Sequence, residues 1–345
     1  MSATTTPTTF SDLYTDVLNR ARIALGTTAA DTTNTNYAKR YVNQANQDIH
    51  IQQNWPWAER DAVLNTHALY TTGTVDIALA SRTTVTGSAT VAWTTAVTGM
   101  GFNTVRIGGK LRFAGGVDVH VISTIGDATS ITLESRFVGT TALDDASYVY
   151  FEDEYALAAD FWRPIDVRQF STALKIPIIS RREFFLRHPR NIQTGTPRIC
   201  TLIERGPSTS VALRPRILFH PVPDIVYNIP YRYITSSLAV ATSGTGSINL
   251  SADSDEPIVP IRYRHVLVAY ALYQWYRDLK DDQRSETVKA EYEGLVARMA
   301  NDVEPSRDRP KLVPPRRIYL RQTAGPFRTG RRRYETGSEF DEMKI

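Results

Sequence analysis

A few acidic and basic clusters have the residue types and spacing that chemistry would need. Glu152, Asp153 and Glu154 set three carboxylates in a row, and paired carboxylates can do general acid–base work. Adjacent residues on an extended segment point to opposite faces, however, so these three are not expected to converge. Asp253-Ser254-Asp255-Glu256 offers hard oxygen ligands for a cation. It lacks the remaining oxygens at loop spacing, and a solvated acidic loop is the expected state. Asp281-Asp282 reads as an exposed turn between helices. The single cysteine, Cys200, lies in the run Arg198-Ile199-Cys200-Thr201-Leu202-Ile203, where a small buried strand residue is expected rather than a nucleophile. One cysteine also excludes an intramolecular disulfide. The six histidines, at 50, 67, 120, 188, 220 and 265, are scattered and form no ligand cluster with it. There is no Gly-x-Ser-x-Gly elbow, no His-Glu-x-x-His pair and no phosphate-cradling Gly-x4-Gly-Lys-Ser/Thr. An enzyme is not expected, and neither is a metal or a cofactor.

The basic clusters are Arg316-Arg317 and Arg331-Arg332-Arg333, which could neutralise phosphates with a steep salt dependence. They belong to a segment of unusual composition. Residues 305–333 carry ten Lys/Arg against one acid, Asp308, for a net +9, and residues 334–345 carry a net −3. The whole chain is only +4, which leaves residues 1–304 at −2. The positive charge therefore sits on an appendage. Prolines at 305, 310, 314, 315 and 326 block a continuous helix there. Leu312, Val313, Ile318, Tyr319, Leu320, Phe327 and Tyr334 punctuate it, where a solvated tail is normally poor in such residues. Basic, proline-stiffened and studded with anchors, it reads as an arm that orders against another surface. A flexible terminus with incidental hydrophobes is the alternative. No aromatic stacking platform accompanies the arginines, so sequence-specific DNA binding is not expected. Acidic patches on a protein partner fit the interleaved prolines and hydrophobes better.

The elements that must carry this arm follow from periodicity. A chain of 345 residues, 42% apolar and 22% charged, has ordinary globular composition and a length that suggests about two domains. No apolar stretch approaches the roughly 18 residues of a membrane span, and the N-terminus has neither the basic nor the apolar region of a secretory signal. A soluble chain made in a cytoplasm is expected. Phe10, Leu13, Tyr14, Val17, Leu18, Ala21 and Leu25 mark one helical face. Thr9 and Asp12 resemble a capping box, and Gly26 can close the helix. A second helix is expected from about Asn36 to Trp55, because Pro56 disfavours helix before it. Trp55 and Trp57 flank that proline and are expected to pin the helix end onto the core. Residues 83–152 read as a compact insertion, with short strand-like runs at 84–93, 105–113, 117–125, 130–133 and 148–151. Glycine pairs separate them, and Gly115-Gly116 marks a hairpin. Beyond lie a short helix at 180–186, strands at 198–203, 214–220 and 226–235, an exposed loop at 236–255, and helices at about 261–280 and 285–302. The expected fold is α+β. Helices at 9–26, 36–54, 261–280 and 285–302 make a helical-bundle body from residues 1–82 and 153–304. An inserted small β-barrel or sandwich domain (83–152) and an extended C-terminal arm (305–345) complete it.

In this order the pieces resemble the head-to-tail adaptor, or connector, proteins of tailed double-stranded DNA bacteriophages. The likeness begins in Thr9-Phe-Ser-Asp-Leu-Tyr14 and Tyr41-Val-Asn-Gln-Ala-Asn-Gln-Asp-Ile-His50, closed by Trp55-Pro56-Trp57, similar to the family's opening helix pair. It resumes at 265–282 and 292–299, like the closing helices. Strings such as Ile107-Gly-Gly-Lys-Leu-Arg-Phe113 resemble a β-module of phage neck and tail proteins. The resemblance implies a structural virion protein without catalytic residues. It implies a homo-oligomeric ring of about twelve copies below the portal, joining capsid to tail and passing double-stranded DNA through its lumen without sequence specificity. Portal protein and tail or nozzle proteins are then the partners, with no membrane involved. Arg316, Arg317, Ile318, Tyr319, Leu320, Phe327, Arg331, Arg332, Arg333 and Tyr334 would form the portal-docking arm. Two alternatives stay open: another neck or tail protein (tail completion or tail tube), and a carbohydrate-binding receptor-recognition protein. Trp93, Phe102, Phe113, Phe137 and Tyr148 are spaced as core rather than as an exposed sugar platform.

Overall fold

The computed structural model describes residues 7–22, 29–96, 103–169, 174–204 and 215–303. The chain divides into a unit ending at Val296 and a second starting at Ala297. The elements below belong to the first, apart from the end of the last helix.

Helix α1 (Phe10–Arg20) starts at the expected box: Thr9 accepts from the Asp12 backbone N–H while the Asp12 carboxylate accepts from Thr9. Phe10, Leu13, Tyr14, Val17 and Leu18 are its buried side chains. At about 2 kcal/mol each, their burial outweighs a cap worth about 1 kcal/mol; the cap decides where the helix begins, the face decides that it forms. The helix ends at Arg20 and the chain turns away through Arg22 at φ 58°. It stops short of Gly26, which lies outside the described residues. Helix α2 (Ala29–Gln52) begins at Ala29 rather than near Asn36. From Asp31 to Tyr37 none of its residues is buried, so apolar periodicity cannot reveal these turns. Ala29 and Ala30 favour helix, Asp31 suits the positive N-terminus, and Thr35 Oγ1 donates back to the Asp31 carbonyl at 2.9 Å.

After a single 3-10 turn at Pro56–Ala58 come β1 (Glu59–Asn65), β2 (Val75–Ile77), β3 (Thr84–Gly87), β4 (Lys110–Phe113), β5 (Val119–Ile125), β6 (Ser130–Leu133), β7 (Leu143–Ala146) and β8 (Tyr148–Phe151). Strands β2 to β8 form one antiparallel sheet in the order β7-β2-β3-β6-β5-β4-β8. The two edges, β7 and β8, are separated in sequence by Ser147 alone. Edges joined through one residue must lie side by side, so the sheet curls until it is nearly closed. Its interior holds Val75, Ile77, Val85, Trp93, Leu111, Phe113, Ile131 and Tyr148, with Phe137 packed against them; Phe102 lies outside the described residues. Each of the five expected runs contains a strand, and β2 and β7 complete the sheet, which starts at Val75, upstream of residue 83. Gly115, at φ 75°, turns the chain between β4 and β5.

The chain continues through β9 (Glu154–Ala156), β10 (Phe161–Val167), α3 (Arg181–Arg187), β11 (Ile199–Glu204), β12 (Pro215–His220) and β13 (Asn228–Thr235). These make two three-stranded sheets, β1-β13-β10 and β11-β12-β9. Tyr155, Phe161, Ile217, Phe219, Tyr231 and Tyr233 fill one core between them. Then follow β14 (Ala239–Val240), β15 (Gly246–Ser247), β16 (Glu256–Pro257), α4 (His265–Asp278) and α5 (Asp282–Val303). The segment 236–255 has the exposed stretches expected from its Ser/Gly/Ala/Asp content, at 242–246 and 251–254, but it is more than a loop. It contributes β14 and β15 to a third small sheet and buries Leu238, Ala239 and Leu250. Asn43 and Asn46 of α2 bond its backbone at Leu250 and Leu238, and Phe10 and Ser11 of α1 donate to the Asp255 and Asp253 carbonyls. Those orphan N–H groups of a helix start supply acceptor demand that composition does not disclose. Helices α1, α2 and α4 pack on one another. Val266 to Leu272 are all buried on α4, the pattern of an interior helix. Helix α5 meets them through Tyr292, whose ring lies 5.1 Å from Tyr270 and whose hydroxyl accepts from Gln52 Nε2 at 2.6 Å. Among the described residues, no helix is long and apolar enough to cross a membrane.

Candidate functional site

Trp55 and Trp57 stack with centroids 4.8 Å apart and planes 10° from parallel. Gln52 is the last residue of α2, so the Ile49 carbonyl has lost its helical partner. The fully buried Trp55 supplies one, donating Nε1–H to that oxygen at 2.7 Å. Trp57 Nε1–H donates to His50 Nε2 at 3.1 Å, while His50 Nδ1–H donates to the Asn46 carbonyl at 2.6 Å. Burial lowers the His50 pKa and keeps the neutral ring that this pattern needs. The Trp57 ring also stacks on Tyr263, 6.0 Å away. The two indoles thus lock the end of α2 to the approach to α4.

Glu152 turns away from Asp153, as adjacent residues on an extended segment should, whereas Asp153 and Glu154 both face Lys110. Glu152 takes a bidentate contact from Arg106, with Nε at 2.8 Å from Oε1, and accepts from the Tyr150 hydroxyl. Asp153 accepts from Lys110 at 2.7 Å and from Asn191 Nδ2 at 3.3 Å. Its own backbone carbonyl takes the Phe219 N–H. Burial raises the Asp153 carboxyl pKa, against the opposing pull of Lys110. Lys110 also lies 3.7 Å from Glu154. The cluster therefore ties barrel strand β4 to the chain leaving β8 and to β12. It glues elements together; it does not present an acid and a base to a substrate.

The other chemistry-bearing residues are spent in the same way. Asp253 pairs with Lys39 at 2.8 Å and Glu256 with the buried Arg264 at 3.0 Å. Asp255 is buried and accepts from the Ser251 and Ala252 backbone N–H groups, which lower its pKa. The expected solvated acidic loop is found at the exposed Asp253, Ser254 and Glu256, while the buried Asp255 departs from it and holds the turn in shape. Asp281 caps α5 through the Arg284 N–H at 3.2 Å. Cys200 is buried in β11, its thiol pushed up to about 12 by burial, where no thiolate nucleophile forms. No group of three or more His, Cys, Asp or Glu among the described residues could hold a metal ion.

Two features escaped sequence reasoning. His188 and His220, counted as scattered, stack with centroids 3.5 Å apart. Helix α3 buries Phe184 yet exposes Phe185 and Leu186; the string Arg181-Arg-Glu-Phe-Phe-Leu-Arg187 is itself the signal, being apolar on more than one face. The arm residues Arg316, Arg317, Ile318, Tyr319, Leu320, Phe327, Arg331, Arg332, Arg333 and Tyr334 all lie outside the described residues.

Comparison with known proteins bears on what these joints serve. The SU10 adaptor protein family matches residues 127–317, more than half of the chain. The match runs from the β5–β6 turn through all later elements and into the basic segment as far as Arg317. It leaves out α1 and α2, where the resemblance to phage adaptors also began. No curated protein matches the chain. With a family match that covers more than half of its residues, the chain belongs to the SU10 adaptor protein family.

Proposed function

We propose that the protein is a head-to-tail adaptor that forms a ring below the portal vertex of a tailed phage, joins capsid to tail and lets DNA pass through its lumen. The observation that carries this reading is the family match, which continues beyond α5 into the arginine-rich segment as far as Arg317. In this reading residues 1–82 and 153–304 are the body, built on helices α1, α2, α4 and α5. Residues 83–152, together with β2 of the same sheet, are an inserted β-domain that meets tail components, and residues 305–345 are the arm, which docks into the portal through residues 316–334. A heterologous contact repeated around an axis closes into a ring of about twelve copies, and an arm adds contact area without enlarging the body. Ordering such an arm costs several kcal/mol, so Ile318, Tyr319, Leu320 and Phe327 contribute more than the arginines that flank them. The structural role also fits a chain whose charged clusters serve internal packing.

The test is deletion of residues 305–345 followed by co-sedimentation with portal rings. The expected product keeps its far-UV circular dichroism and solubility and no longer pellets with the portal. A truncated protein that still joins the portal as well as the full chain refutes the arm's role.

A further inference from the structure

Helix α3 turns two large apolar side chains away from the protein. It has seven residues and one buried position, Phe184, which packs on Ile203 and Leu218. Leu186 is 82% exposed and Phe185 is 42% exposed. Phe185 also lines a groove of about 320 Å³, with Pro189, Arg190 and Leu218 on one side and Val117 and Val119 of the barrel on the other. Val117 is itself 58% exposed. Phe185 and Val117 line the groove and Leu186 follows Phe185 on α3; exposed hydrophobes gathered in this way need covering more than a scattered few do.

The charge on the α3 side is mostly positive. Arg181, Arg182, Arg187 and Arg190 are all exposed, and residues 181–190 carry a net +3. The one acid of that stretch, Glu183, is held by Arg187 at 2.6 Å. Asp153 and Glu154 line the groove but face Lys110. Asp118 stands exposed on the barrel wall, which directs an acidic ligand's charges to the α3 side. Apolar anchors rimmed by arginine are the usual make-up of an interface centre.

The chain contains a segment of opposite design. Residues 334–345 carry a net −3, from Glu335, Glu339, Asp341, Glu342 and Lys344, with Phe340, Met343 and Ile345 interspersed. Between Val303 and Phe340 lie 36 residues, which can reach up to about 120 Å when extended. We propose that residues 335–345 of a second copy dock on this face. Phe340 and Met343 cover Phe185, Leu186 and Val117, and the flanking acids meet the four arginines. Because segment and groove differ, the contact is heterologous, and repetition carries it from copy to copy. It does not depend on portal attachment, since both halves lie in this protein.

The test places the photo-cross-linker p-benzoylphenylalanine at Phe340 in the full-length chain and irradiates an equal mixture of light and heavy-isotope protein. Cross-links from position 340 to the stretches 181–192 or 117–119 that join light to heavy chains are expected. Leu186→Glu, at an exposed position, is expected to leave the thermal midpoint unchanged and cut the yield about tenfold. Arg181→Glu with Arg182→Glu is expected to lower it as well. Cross-links confined to one chain, cross-links to other surfaces or none at all, or an unchanged yield in Leu186→Glu would each overturn the proposal. Portal binding by the protein would be untouched by any of these results.

Discussion

The imidazole of His188 lies flat against that of His220, with centroids 3.5 Å apart and planes within 24°. Phe184 packs edge-on to His220 at 6.3 Å, and His220 Nδ1 meets Asn191 Oδ1 at 2.8 Å. Asn191 in turn reaches Asp153, so the pair sits on the cluster that joins the barrel to β12.

Burial lowers the His220 pKa first, and the neighbouring His188 lowers it further. Burial also lowers those of His50 and His120. A histidine whose folded pKa lies below its unfolded value of about 6.5 costs nothing above that pH. Its stability contribution is lost as pH falls through it, because the unfolded chain binds the proton more readily. Thermal denaturation followed from pH 7.5 to pH 5 is therefore expected to show a falling midpoint. In His188→Gln with His220→Gln the fall should be shallower, with the remainder due to His50 and His120. An identical slope in that double variant would sink the argument.

Gly109 faces the Tyr150 ring so closely that an added Cβ would stand 2.4 Å from its Cε2 and hydroxyl. The ring cannot retreat freely, since its hydroxyl donates to Glu152 and accepts the Arg106 N–H. Gly109→Ala is expected to cost about 1–3 kcal/mol, read as a lower urea midpoint with unchanged slope. A midpoint equal to the parent's would mean that the barrel wall yields at this point.

Lys110 neutralises a carboxylate that is 1% exposed. Lys110→Met leaves Asp153 buried without its cation and is expected to destabilise by about 3–5 kcal/mol. Adding Asp153→Asn removes the stranded charge, so the double variant should recover a large part of that loss. If chemical denaturation finds the double variant no more stable than Lys110→Met, the charge is not what the lysine is there to balance.

Trp55 combines a large buried ring with one hydrogen bond to the Ile49 carbonyl. Trp55→Ala is expected to cost about 3–5 kcal/mol. Trp55→Phe keeps the ring contacts and strands the carbonyl, for about 1–3 kcal/mol. Hydrogen exchange should show the loss concentrated in the last turn of α2. Uniform loosening across all helices would contradict a local joint.

Signals carried by residues close in sequence were legible. The box at Thr9 and Asp12, the face from Phe10 to Leu18, the stop before Pro56 and the turn at Gly115 each depend on neighbours within a few positions, and each stands where expected. Failures came where the deciding partner is remote. The first turns of α2 lack an apolar face, so periodicity was silent there. The 236–255 stretch has loop composition, yet Asn43 and Asn46, some two hundred positions earlier, give its backbone partners.

Read alone, the chain determined its alternation of helix and strand, its lack of any catalytic motif and the lopsided charge of residues 305–345, because these are properties of local pattern and composition. Only the tertiary structure decided that β7 and β8 bring opposite edges of a sheet together, that Glu152 and Asp153 are ties rather than acids, that two distant histidines share a stack, and that α3 is left with Phe185 and Leu186 uncovered. The physical reason is that desolvation and pairing depend on what lies across space, and no local pattern encodes which remote side chain arrives there.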